Sequence, residues 1–102
     1  MTSKKFHIAL EVSNIAASVS EYSARLGCEP AVVVGGEYAL WRTDPLNFSI
    51  RKGAQPGKLR HLGFEDSGAS EFSKETDVNG LVWERFTADQ QRDEILKLWG
   101  KY

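Results

Sequence analysis

The chain has 102 residues, 41% of them apolar and 26% charged, a balance that excludes a disordered or fibrous polypeptide and describes one globular domain over residues 1–102. Thirteen basic residues against fourteen acidic ones leave a net charge of -1, without the basic field that a nucleic-acid binder needs. No apolar run approaches a bilayer span, Met1 to Lys5 leads into a strand rather than a signal-peptide core, and Cys28 has no second cysteine to pair with, so the expectation is a cytoplasmic protein with no membrane or nucleic-acid partner.

In the first strand Phe6, Ile8, Leu10 and Val12 share one face and His7, Ala9 and Glu11 the other. Ser13 or Asn14 can cap a helix whose Ile15, Val19, Tyr22 and Leu26 form an apolar stripe, and Gly27 stops it. Cys28, just past this end and far from either histidine in sequence, reads as a packed or surface cysteine rather than a catalytic thiol. Ala31–Val34, Gly35-Gly36 and Glu37–Arg42 spell a hairpin. Thr43-Asp44-Pro45 turns the chain into Leu46–Lys52, with Phe48 and Ile50 opposite Asn47, Ser49 and Arg51. Residues 53–57 are a short tether.

From Lys58 the pattern begins again, with Leu62 and Phe64 opposite His61 and Gly63. A short helix is expected from about Gly68 to Glu75, then Thr76–Gly80 with no room for another hairpin, then a strand over Leu81–Phe86. Thr87-Ala88-Asp89-Gln90 has capping-box form, and Ile95, Leu98 and Trp99 mark a closing amphipathic helix over about 88–99. The two histidines of the chain occupy the same phase of two similar strand starts, Phe6–Ser13 and Arg60–Ser67. Such a repeat suggests two related modules, about 5–52 and 58–86, that bring both imidazoles to one place.

His7–Val12 followed by a helix containing Glu21-Tyr22, His61-Leu62-Gly63-Phe64 opening a second unit, and Asp77–Glu84 as a closing turn and strand together resemble the vicinal-oxygen-chelate superfamily of glyoxalase I, bleomycin-resistance proteins and extradiol dioxygenases. The resemblance covers roughly Lys5 to Phe86. It implies an α+β fold of two β-α-β-β-β modules forming an open, incomplete mixed barrel around a cleft, with the second module shortened and a C-terminal helix added. It also implies metal ligands at His7, His61 and Glu84, and Fe, Mn or Zn as the divalent metal. A further family ligand falls near Ser49 or Arg51, where this chain has neither the Glu nor the Gln usual there. Related proteins often pair modules between chains, which implies a homodimer.

Two imidazoles and a carboxylate leave open positions on a metal for substrate and water or oxygen. Arg51, Ser49, Trp41, Trp83 and Tyr38 are the candidates for substrate binding, and the site candidates also have structural readings: the histidines as hydrogen-bonded cleft residues, Glu84 as a solvated strand residue, and Tyr38, Trp41 and Trp83 as core aromatics rather than the lining of a pocket. Glu11, Glu65 and Asp66 read as strand-end residues. Arg51 would repel a cation in the cleft, yet could grip an anionic substrate. Three functions remain open: a metal-dependent lyase, isomerase or dioxygenase; a metal-free small-molecule binder with Arg51 and Arg60 as anchors; and an interaction domain that has lost the site.

Overall fold

The computed structural model describes residues 3–100; Met1, Thr2, Lys101 and Tyr102, which the single-domain reading includes, lie outside the described residues. In the order of the chain the elements are β1 (Lys4–Val12), α1 (Ile15–Leu26), β2 (Val32–Val34), β3 (Tyr38–Arg42), β4 (Leu46–Lys52), β5 (Leu59–Asp66), β6 (Ser73–Thr76), β7 (Val82–Phe86) and α2 (Ala88–Trp99). The seven strands form one mixed sheet in the order β2-β3-β4-β1-β5-β7-β6, with β2 and β6 as its edges, so the sheet does not close into a barrel. β1 pairs in parallel with β4, β5 pairs in parallel with β7, and the two halves meet at the antiparallel β1·β5 seam.

Both helices form where their end signals stand. The Asn14 side chain accepts the Ala17 N–H at 3.0 Å, and Gly27 ends α1 in the left-handed region. Thr87 and Gln90 close a reciprocal capping box on α2. Burial of the α1 stripe is the larger source of stability: Val12, Ile15, Ala39, Trp41 and Ile50 pack under it with Tyr22, Leu26 and Phe48. α2 covers part of the opposite sheet face, where Ile95 packs with Tyr38 and Leu40 and Trp99 joins them. No described helix is long and apolar enough to cross a membrane.

The expected helix over 68–75 is not there. The Asp66 carboxylate accepts the Gly68 N–H at 2.9 Å and its carbonyl accepts the Ala69 N–H, so the chain turns instead of winding. Gly68 and Ser70 favour such local bonding over a helical turn. Ser73–Thr76 then becomes β6 and pairs antiparallel with β7, so the segment expected to be too short for a hairpin is one. Asp77 organises its turn, accepting the Asn79 and Leu81 N–H groups and the Trp83 indole N–H. These bonds to the carboxylate, the one from Trp83 foremost, hold the Asp77 carboxyl below its ordinary value. β5 through β7 therefore carry no helix, and on the face they share with Ile8 of β1 the rings of Phe6, Phe64 and Trp83 pack together, with Lys4 Nζ 5.6 Å from the centre of the Phe64 ring.

Candidate metal and anion site

Strand alternation and register bring the candidate ligands together on the sheet face opposite α1. His7 of β1 stands opposite Gly63 of β5, and Gly63 opposite Glu84 of β7, while His61 stands opposite Ala9 two residues along. One transverse row thus reads His7, Gly63, Glu84. Gly63 is required there, because a Cβ at this position would lie 2.0 Å from the Glu84 carbonyl oxygen. One ligand atom from each of His7, His61 and Glu84 lies within 4.8 Å of the others. His61 Nε2 is 2.9 Å from His7 Nε2 and 3.1 Å from Glu84 Oε1. Ligand atoms held at right angles about 2.1 Å from one ion are themselves about 3 Å apart, so these two spacings match a metal's coordination shell.

The tautomer of His7 follows from its partners. Its Nδ1 faces two acceptors on Asn47, the backbone carbonyl at 3.1 Å and the side-chain Oδ1 at 2.8 Å, so Nδ1 carries the proton and the Nε2 lone pair is turned to the cavity. Asn47 is placed by the parallel register that pairs it with His7. Its amide donates to Glu65 Oε1 at 2.8 Å and exchanges two hydrogen bonds with the Gln91 side chain from α2. Arg42 completes the chain with a two-pronged contact to Glu65 at 2.8 and 2.7 Å. Burial opposes ionisation of Glu65, but Arg42 and Asn47 outweigh it and hold the carboxyl below its ordinary value. Burial, followed by the neighbouring His61, pushes the His7 pKa down, which favours the neutral ligand form.

With Nε2 of His7 bearing a lone pair, the His61 Nε2–H serves as a donor shared between His7 and the Glu84 carboxylate. Lys74 Nζ lies 3.6 Å from the second Glu84 oxygen. Burial raises the Glu84 pKa, yet the hydrogen bond and charge of His61, with His7 and Lys74, reverse that, and the net shift is downward. The donor set fits a divalent cation: one imidazole nitrogen is already free of its proton, one carboxylate is kept ionised, and the His61 proton need only move from Nε2 to Nδ1 to free the second imidazole.

These groups line a cavity of about 120 Å3. Of the side chains expected to bind substrate, Tyr38, Ser49 and Arg51 line it. Trp41 does not: it is fully buried beneath α1, its indole donating to Ser23 Oγ and its ring against Tyr22 and Phe48. Nor does Trp83, whose ring stacks near Phe6 and Phe64 on the other face of the sheet. Residue spacing could have excluded Trp41, since positions 38 and 41 of one strand point to opposite faces. Lys74, Gln91 and Phe86 are cavity residues that the sequence pattern does not single out, and Asn47 lies behind His7. Asn47 shares its strand face with Ser49 and Arg51, which was the available signal. No protein-family model matches the chain, and no curated protein matches it.

Proposed function

We propose that the chain is a glyoxalase- or dioxygenase-like small-molecule protein, in which His7, His61 and Glu84 hold a divalent Fe, Mn or Zn ion and the cavity takes a small anionic or vicinal-oxygen substrate. The observation that carries this reading is the convergence of three ligand atoms within 4.8 Å at the cavity wall, with the His7 lone pair aimed inward by Asn47. A lyase, isomerase or dioxygenase reaction is the matching chemistry, and the element order β1-α1-β2-β3-β4 supports reading one β-α-β-β-β module there and a shortened second in β5–β7. A cytoplasmic homodimer belongs to the same reading.

When bound, such an ion supplies Lewis acidity toward adjacent substrate oxygens and leaves coordination positions open. The chain's own groups supply the rest. Asn47, with Glu65 and Gln91 behind it, fixes the His7 ring; Glu84 accepts a hydrogen bond from the His61 Nε2–H in the ion-free state; Phe86 packs edge-on to His7 at 4.9 Å. Arg51 orients the anionic end of the substrate.

A metal-free binder is the second reading. It is favoured by one observation: His61, His7, Glu84 and Lys74 already satisfy one another without an ion. Elemental analysis and manganese titration of protein purified without chelators separate the two. The metal reading expects one ion per chain and loss of binding in His7→Ala and Glu84→Gln; substoichiometric metal unchanged by His7→Ala would leave the metal-free reading.

A further inference from the structure

Strict alternation along β5 would send Arg60 to the face opposite His61, yet both side chains line the cavity. The reason is a break in the β1·β5 register: Ala9 pairs with His61 but Leu10 pairs with Leu59, so Arg60 is the extra residue of a bulge. Bulges re-aim side chains, and this one turns a guanidinium inward beside the candidate metal ligands. Arg51 reaches the same cavity from β4, its guanidinium 5.2 Å from the centre of the Trp99 ring.

The other four arginines, at 25, 42, 85 and 92, each have a carboxylate in ion-pair contact, whereas among the described residues neither Arg51 nor Arg60 has one that close, and Glu84 and Glu11 act on Arg60 only from farther away. The cavity carries Arg51, Arg60 and Lys74 against Glu84 and Glu94, one net positive charge, and a divalent ion would add two more. Two half-buried guanidiniums with no carboxylate in contact are well placed for a ligand that supplies that contact.

We infer that Arg51 and Arg60 form an anion subsite and that the ligand of this cavity is a small dianion, a phosphoryl compound or a short dicarboxylate. The volume of about 120 Å3 is well under the ~300–1,000 Å3 of sites for drug-sized molecules, so the ligand has few atoms beyond its charged groups. The inference deepens the proposed function and rests on it for the second pole of the ligand, but the arginine subsite can be tested apart from the metal.

Inorganic phosphate and malonate are titrated by calorimetry into metal-free and manganese-loaded protein, with Arg51→Gln and Arg60→Gln as variants and thermal unfolding as the check on folding. At least one anion should bind the metal-free protein, and each substitution should weaken it about 10- to 100-fold, the usual loss for a charge-assisted hydrogen bond. Manganese affinity should be unchanged or tighter in both variants. Tighter binding of phosphate identifies a phosphoryl ligand, and tighter binding of malonate a dicarboxylate. Anion binding without manganese binding would overturn the metal reading and leave the subsite standing. No anion binding to the metal-free protein, or binding indifferent to both substitutions, would overturn the subsite; since Arg51 lies outside the bulge, its variant decides the question even if Arg60→Gln does not fold.

Discussion

The two histidines sit at the same phase of two strands that open alike, but their surroundings differ. His7 belongs to the half of the sheet backed by α1 and is 2% exposed, with its ring locked by the Asn47–Gln91–Glu65–Arg42 chain. His61 belongs to the half without a helix and is held by Glu84, a neighbour that is itself paired with the exposed Lys74. One imidazole has its tautomer fixed by the buried Asn47; the other holds its Nε2–H against a carboxylate. The pair therefore combines a preset ring with one whose proton must change nitrogen before its Nε2 can face an ion.

The contrast between halves is broken most severely in the core. Trp41→Ala should cost about 3–5 kcal/mol in urea unfolding, because the ring is wholly enclosed under α1. Trp83→Ala, on the half without a helix and partly exposed, should cost only about 1–2 kcal/mol. Equal losses would mean that the two halves contribute alike.

Asn47→Leu should come next. It removes the side-chain acceptor that fixes His7 Nδ1 and leaves Glu65 and Gln91 short of a partner, a loss of about 2–3 kcal/mol in the same assay. Manganese affinity should fall about 10- to 100-fold, as for other losses of a ligand's supporting hydrogen bonds. Unaltered manganese binding would show that His7 needs no such support.

The smallest effect concerns acid. The Glu65 carboxyl is held below its ordinary 4.5, so the folded state binds fewer protons there than the unfolded chain. Its stabilisation is therefore complete above 4.5 and is lost as the pH falls through the lower folded value. Glu65→Gln should be less stable than the parent at neutral pH and should show a shallower decline below 4.5. The difference is modest because Arg42 is partly in solvent.

Much of this arrangement can be read from residue order. The Asn14 and Gly27 caps, the Gly35-Gly36 hairpin, the Thr87–Gln90 box and the phase of His7 against Phe6 are local signals, and each acts in the folded chain as its chemistry dictates. What escaped is non-local. The choice between helix and strand for Ser73–Thr76 depends on β7 lying alongside, a pairing that no local pattern contains. Asn47 becomes the partner of His7 only through a parallel register between strands far apart in the chain. Arg60, named from sequence as a cleft anchor, lines the cavity, but the bulge that turns it inward breaks the alternation used to assign faces and has no local signal.

Gly63 carries the last consequence. Since no atom fits between its Cα and the Glu84 backbone, this position fixes how closely β5 can approach β7, and hence the reach from one imidazole to the carboxylate. Walls of the hollow can be exchanged one side chain at a time and its selectivity retuned, whereas adding a single methyl at this crossing would wedge two strands apart and separate the acid from both rings.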